Sequence, residues 1–232
     1  GSVAALVFRA IAERGRAVET FVMCGTAHGY FGSQAADDES EAWACPLGEV
    51  AVDVGLRERL VRGGVVAMDP AAHRGEHSIE VQIPFIRHLF PEAKILPLTV
   101  PPTHGALALG ESLGDMVTDS GGEVVVIGST DLTHYGPRYG FTPMGAGSEG
   151  LHWAREVNDR AFIDWAVELD SERLLAGAIE NGNACGPGAA AATIGAARRL
   201  GVERGVLLAH THSNDVLRRK MASASRDSVG YA

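Results

Sequence analysis

Short continuous apolar runs alternate along this chain with longer stretches in which apolar residues recur at helical spacing. Val3, Leu6, Val7, Ala10 and Ile11 predict a helix over Val3–Glu13, stopped at Gly15. Val18–Cys24 then reads as a buried strand leading into Gly25-Thr26-Ala27-His28. Pro46-Leu47-Gly48 marks a turn, and Asp53 is placed to cap a helix that runs to about Arg62 before Gly63-Gly64. Ile79, Ile83, Ile86 and Leu89 share one face of a helix expected over His77–Phe90, with Pro84 in its first turns. Lys94–Val100 and Glu123–Ile127 read as apolar strands, with the amphipathic stretch Ala106–Val117 between them. Glu149–Val167 and Ser171–Ala178 are predicted helices, and Pro187 opens an Ala-rich helix to Leu200. Gly205–His210 and Ser228–Ala232 are the last predicted strands. The alternation predicts a single α/β domain, a mixed, largely parallel sheet flanked by helices, with polar residues after strand ends gathered on one rim.

Composition narrows the partners. Acidic side chains number 29 against 20 basic ones, giving a formal charge of −9, so the chain is a poor match for the phosphate backbone of a nucleic acid. No apolar run approaches the roughly 20 residues of a membrane span. The three cysteines, Cys24, Cys45 and Cys185, are too scattered for a disulfide framework, which fits a reducing, cytoplasmic setting. The expected partner is a small molecule or a peptide.

Several side chains carry possible chemistry. His28 follows a strand and a glycine, as either a rim ligand or a solvated loop residue. Asp131 and His134 lie just after the Glu123–Ile127 strand. A carboxylate three residues before a histidine can orient the ring and raise its basicity, although Asp131 could instead cap a helix. Cys185 precedes the Pro187 helix, whose N-terminus would favour a thiolate for metal binding or nucleophilic attack; the alternative is a small buried apolar residue. Cys24 reads as core, and His210 and His212 as weak candidates for lining the site.

The densest cluster is His73-Arg-Gly-Glu-His77-Ser-Ile-Glu80, whose first five residues match the H-x-x-E-H pattern of inverted zinc peptidases. That chemistry needs both histidines on one face of a regular helix. Gly75 interrupts, and the helix is expected to begin near Glu76, leaving His73 outside it. Glu76 and Glu80 could equally be first-turn acids that complement a helix dipole.

Taken together, Gly25-Thr-Ala-His28, Pro46-Leu-Gly-Glu-Val50 with Asp53, Glu76-His-Ser-Ile-Glu80, Ser129-Thr-Asp-Leu-Thr-His-Tyr-Gly136, Cys185-Gly186 and Asp227-Ser-Val-Gly-Tyr-Ala232 resemble the Memo-like family, also called AmmeMemoRadiSam system protein B. The resemblance covers nearly the whole chain. It implies a fold like that of class III extradiol ring-cleavage dioxygenases, which are non-heme iron enzymes, and a pocket of two histidines and a cysteine able to bind iron or copper. His28 matches one of those histidines and Cys185 the cysteine; Asp131 and His134 match the pocket's further polar pair. Glu76, His77 and Glu80 are expected to border the pocket. The other histidine belongs to a Pro-His-Ala-Gly-Tyr motif absent from this sequence, so the resemblance implies a missing N-terminal strand and one missing ligand. Ring-cleaving relatives carry a carboxylate in place of the cysteine. A metal-dependent oxidoreductase, with His134 and Asp131 as acid/base, therefore competes with a binding protein that recognises a metal or peptide without turnover. A zinc peptidase stands third.

Overall fold

The computed structural model describes residues 1–232. Helix α1 (Ser2–Glu13) leads into β1 (Thr20–Thr26), followed by short β2 (Ala35–Asp37) and the hairpin β3 (Ala42–Cys45) and β4 (Gly48–Ala51). The Pro46-Leu47 turn closes that hairpin, with Cys45 opposite Gly48. Asp53 caps α2 (Val54–Arg62), accepting from Leu56 N–H at 3.0 Å and from the Thr20 hydroxyl at 2.7 Å. Next come β5 (Val66–Met68), α3 (Ile83–Leu89), β6 (Lys94–Val100), α4 (Gly105–Asp119) and β7 (Val124–Gly128). Beyond them lie β8 (His134–Tyr135), α5 (Ser148–Trp153), α6 (Asp159–Val167), α7 (Ser171–Asn181) and α8 (Pro187–Arg199). The order ends with β9 (Thr211–His212), α9 (Ser213–Met221) and β10 (Ser228–Tyr231). None of the helices is long and apolar enough to cross a membrane.

The main sheet has the order β5-β2-β6-β1-β7. β1 pairs in parallel with both β6 and β7, β2 is parallel to β5, and only the β2–β6 contact is antiparallel. A strand with neighbours on both edges and helices on both faces must be apolar throughout, and all seven residues of β1 are buried. Its side chains alternate between the two helical layers. Phe21 packs against Phe8 of α1 at 6.0 Å between ring centroids and against Phe90 just after α3 at 4.9 Å. A Cβ on Gly25 would also strike Ile79, on that same side. Cys24 and Thr26 instead face α8 and the loop before it, through Thr193 and Cys185.

The Ala-rich composition of α8 has a packing cause. The helix is wedged between the sheet, α4 and α7, and Pro187 to Ala192 are all buried. Glycines make the close approach possible: a Cβ on Gly110 of α4 would lie 2.8 Å from the Ala192 carbonyl oxygen. On its far side Ala190 and Ala191 join Leu132, Phe162, Ile163, Leu174, Leu175 and Ala178 in a second, smaller core. A three-stranded antiparallel sheet, β8-β10-β9, lies beside it.

Three predicted elements need correction. The helix expected from His77 begins only with a 3₁₀ turn at Glu80–Gln82 and continues as α3, because the Glu76 carboxylate takes the N–H groups of His77 and Ser78 and holds them in a turn. Pro84 does sit in the first turn of α3. The strand expected over Gly205–His210 is not formed: no neighbouring strand offers it a ladder, Val206 is 82% exposed, and pairing starts only at Thr211. The long helix over Glu149–Val167 is present but carries one π turn at Ala154–Asn158.

Candidate metal and thiol site

The C-terminal ends of β1 and β7 and the N-terminus of α8 meet on one rim. Thr26 closes β1, Ser129 to Asp131 follow β7, and Cys185 stands two residues before α8. Backbone bonds lock the last two together: Cys185 N–H donates to Asp131 O at 3.2 Å, and Leu132 bridges to Ala184. The Thr130 hydroxyl accepts Gly186 N–H at 2.8 Å. Gly186 is itself confined, since a Cβ there would lie 2.9 Å from Ser129 O.

Within this frame the donor atoms of Asp131, His134 and Cys185 all lie within 4.8 Å of one another. Cys185 Sγ accepts Asp131 N–H at 3.3 Å and has the hydroxyls of Thr26 and Thr130 at 3.8 Å. His134 Nε2 is 3.5 Å from Asp131 Oδ2, buried and without a hydrogen bond of good geometry. The Asp131 carboxylate, and after it Cys185, raises the His134 imidazole to about 9. Burial pushes the Cys185 thiol up, but His134 and the Asp131 N–H outweigh burial and hold it below its ordinary value. Cys24 shows the opposite balance: burial inside β1 pushes its thiol up to about 12. Iodoacetamide at neutral pH should therefore modify Cys185 well before Cys24, as read by peptide mass mapping, since only the thiolate reacts. Labelling in the reverse order would contradict this arrangement.

His28, Glu76 and His77 form a second group of donors within 4.8 Å. Glu76 is its centre, with Oε1 accepting from the N–H groups of His77 and Ser78 at 2.8 Å each and Oε2 from His28 N–H at 3.1 Å. His28 Nδ1 also reaches Oε2, at 3.0 Å. Burial alone would raise this carboxyl, yet the converging Ser78, His28 and His77 amides hold it down to about 2. With Nδ1 so engaged, the His28 ring keeps Nε2 for a ligand. His77 is mostly exposed and stacks on His28 at 5.3 Å. Glu80 is exposed at the start of the 3₁₀ turn.

The two groups are neighbours. Ser78 Oγ accepts Thr26 N–H at 2.9 Å, and Ser129 Oγ donates to Ser78 O at 2.7 Å, so Thr26, Ser78 and Ser129 link them. A cleft of about 740 Å³ opens beside them, with Gln82, Ser129, Thr130 and Asp131 among its polar lining and Phe8 and Tyr231 among the apolar. Sequence reasoning passed over these serines and threonines, because a hydroxyl beside a strand end carries no pattern of its own.

His73 and His77 do not face each other across a helix. Residues 70–79 form turns and irregular backbone with no regular helix. His73 is buried beside Trp43, with Nδ1 3.0 Å from the Thr99 hydroxyl and Nε2 3.8 Å from Asp37, whereas His77 stacks on His28. The two histidines belong to different donor groups, which removes the geometry a zinc peptidase would need. His210 and His212, read as weak candidates, converge instead on buried Asp159.

Comparison with known proteins agrees with this architecture. The profile of the family described as Memo-like protein matches residues 1–232. A MEMO1 family protein of Thermococcus kodakarensis is 35% identical over 240 residues, covering 100% of this chain and 80% of its own length. One from Methanopyrus kandleri is 36% identical over 225 residues, covering 93% of this chain and 73% of its own. By profile and by full-length similarity alike, the chain belongs to the Memo-like protein family.

Proposed function

We propose that the rim binds a redox-active first-row metal, iron or copper, and that the protein is a metal-dependent oxidoreductase with a dioxygenase-like pocket. The observation that carries this reading is the donor set itself: the Cys185 thiol, held below its ordinary value, converges with Asp131 and His134 within 4.8 Å at the rim. Cys185 is the principal ligand, and His28, held by Glu76 through Nδ1, supplies an imidazole Nε2 from the adjoining group. Thiolate with imidazole suits copper and iron better than magnesium or calcium. The bound metal would supply one-electron chemistry with dioxygen.

The chain's own residues do the rest. Asp131 orients His134 and keeps it protonated near neutral pH, so that His134 can hold or deliver a proton at Nε2. The Asp131 N–H and the two threonine hydroxyls steady the sulfur against protonation. Gln82, Ser129 and Asp131 line the cleft beside the rim, where a small molecule would lie.

Titration of the chain with iron(II) and copper(I), beside Cys185→Ala, tests the reading. Cys185→Ala should weaken binding by more than about tenfold, beyond the lower end of what losing an outer partner of a ligand costs. Equal affinity in both proteins would overturn it. Catechol-dependent oxygen uptake by the loaded protein then separates turnover from binding alone.

A further inference from the structure

Asp159 is a carboxylate with no access to solvent, and it has no lysine or arginine partner. The π turn ends at Asn158, and at the start of α6 Asp159 Oδ1 accepts Thr133 N–H at 2.9 Å. Its other oxygen, Oδ2, faces two imidazoles. His210 and His212, two residues apart on an extended segment, both turn inward, and each Nε2 lies 3.0 Å from Oδ2. Only His210 makes a hydrogen bond of good geometry there. His212 is 4% exposed, and its Nε2 is buried against the carboxylate without a partner. A buried ring nitrogen left orphaned at 3.0 Å from a buried anion is costly unless something else joins them.

We propose that Asp159 Oδ2, His210 Nε2 and His212 Nε2 form a binding site for a tetrahedral divalent metal ion, zinc, separate from the Cys185 rim. One oxygen and two imidazole nitrogens form a common zinc donor set. Zinc–ligand bonds of about 2.0–2.1 Å set tetrahedral donors about 3.3 Å apart. The two 3.0 Å separations therefore need to open by only a few tenths of an ångström. With the metal on Nε2, the His212 Nδ1–H donates to Ser228 Oγ, 3.3 Å away, the outer contact that ligating histidines use to fix their tautomer. The His210 side chain is 17% exposed, which leaves a route for entry and water as the fourth ligand. Such an ion would join α6 to the segment carrying β9 and β10. Gly230 of β10 already abuts the carboxylate, with no space for a Cβ.

Cobalt(II) is the probe, because tetrahedral cobalt absorbs in the visible and a thiolate ligand adds its own near-ultraviolet band. Cys185→Ala should bind one cobalt with visible bands and no thiolate band, and zinc should displace it. Adding His210→Gln to Cys185→Ala should weaken that binding at least tenfold with the far-ultraviolet circular dichroism unchanged. No visible cobalt spectrum in Cys185→Ala, or undiminished affinity after His210→Gln, would overturn the site. The second measurement needs no substitution, so it decides the matter even if the double variant unfolds. Zinc-edge anomalous diffraction from crystals of the unsubstituted chain soaked in zinc should show a peak between Asp159, His210 and His212. An anomalous map without that peak would overturn the proposal.

Discussion

Glu76→Gln should destabilise the metal-free protein by about 3 kcal/mol at pH 7 and by almost nothing near pH 2. The Glu76 carboxyl falls from 4.5 to about 2 on folding, and each pKa unit corresponds to about 1.4 kcal/mol. The sign follows from linkage. A depressed carboxylate contributes stability that is fully present above its unfolded value and lost as pH falls through its folded value. The window is therefore about pH 4.5 down to about 2. Glutamine fills the same space but carries no charge and replaces one acceptor oxygen with an NH₂. The side chain is 4% exposed, so solvent does little to screen the loss. Urea unfolding of both proteins across that range, with a chelator present, should give two stability curves that converge on acidification. A gap of constant size would show that packing, rather than charge, is what the substitution removes.

Gly188→Ala should cost about 3 kcal/mol and disturb Cys185 as well. Gly188 lies in the first turn of α8 against the end of β6, where a Cβ would come within 2.7 Å of Val100 O and of the Pro101 carbonyl carbon. Both obstacles are backbone, so no side chain can rotate out of the way, and overpacking of this kind typically costs 1–3 kcal/mol or more. The start of α8 must lift, carrying Gly186 and Cys185 with it. The thiol should then react with iodoacetamide at a changed rate, even though residue 188 never touches sulfur. Gly55→Ala is the control: its Cβ meets only Asp53 Oδ1, at an ordinary 3.6 Å, and alanine favours the helix. Equal Tm values for the two variants would refute the wedge described for α8.

The pattern of the sequence was most legible where burial was most complete. β6 starts and ends where its apolar run predicts, and β1 and β7 lie within two residues of prediction, because a strand covered on both faces must be apolar along its length. β2, β5 and β8 are two or three residues long, too short for periodicity to register. Val206, Leu207 and Leu208 misled in the other direction: hydrophobicity alone predicted a strand, but strand formation also needs an adjacent edge. At the site, Asp131, His134 and Cys185 could be picked out because each borders a strand end or a helix start, and parallel sheets collect those points on one rim. Glu76 reads in the sequence as a residue bordering the pocket or as a first-turn acid, but its role as acceptor for three backbone amides depends on a turn that no local motif announces. Asp159 was not singled out at all. Inside a helical stretch it looks like any surface acid, and only the π turn and two distant histidines give it meaning.

The arrangement β8-β10-β9 also bears on how the protein is made. Val229 pairs with His134 and Ser228 with Tyr135, so the loop that holds Asp131 and His134 is fastened by a strand far downstream of it in the chain. The five strands of the main sheet have all been synthesised by Gly128 and can assemble during translation, since nascent chains fold from the N-terminal side. The rim cannot. Until β10 emerges, the sheet can be folded while nothing yet holds His134 beside Cys185. The Asp131–His134–Cys185 group is thus completed only after β10 has been made, later than the main sheet whose rim carries it.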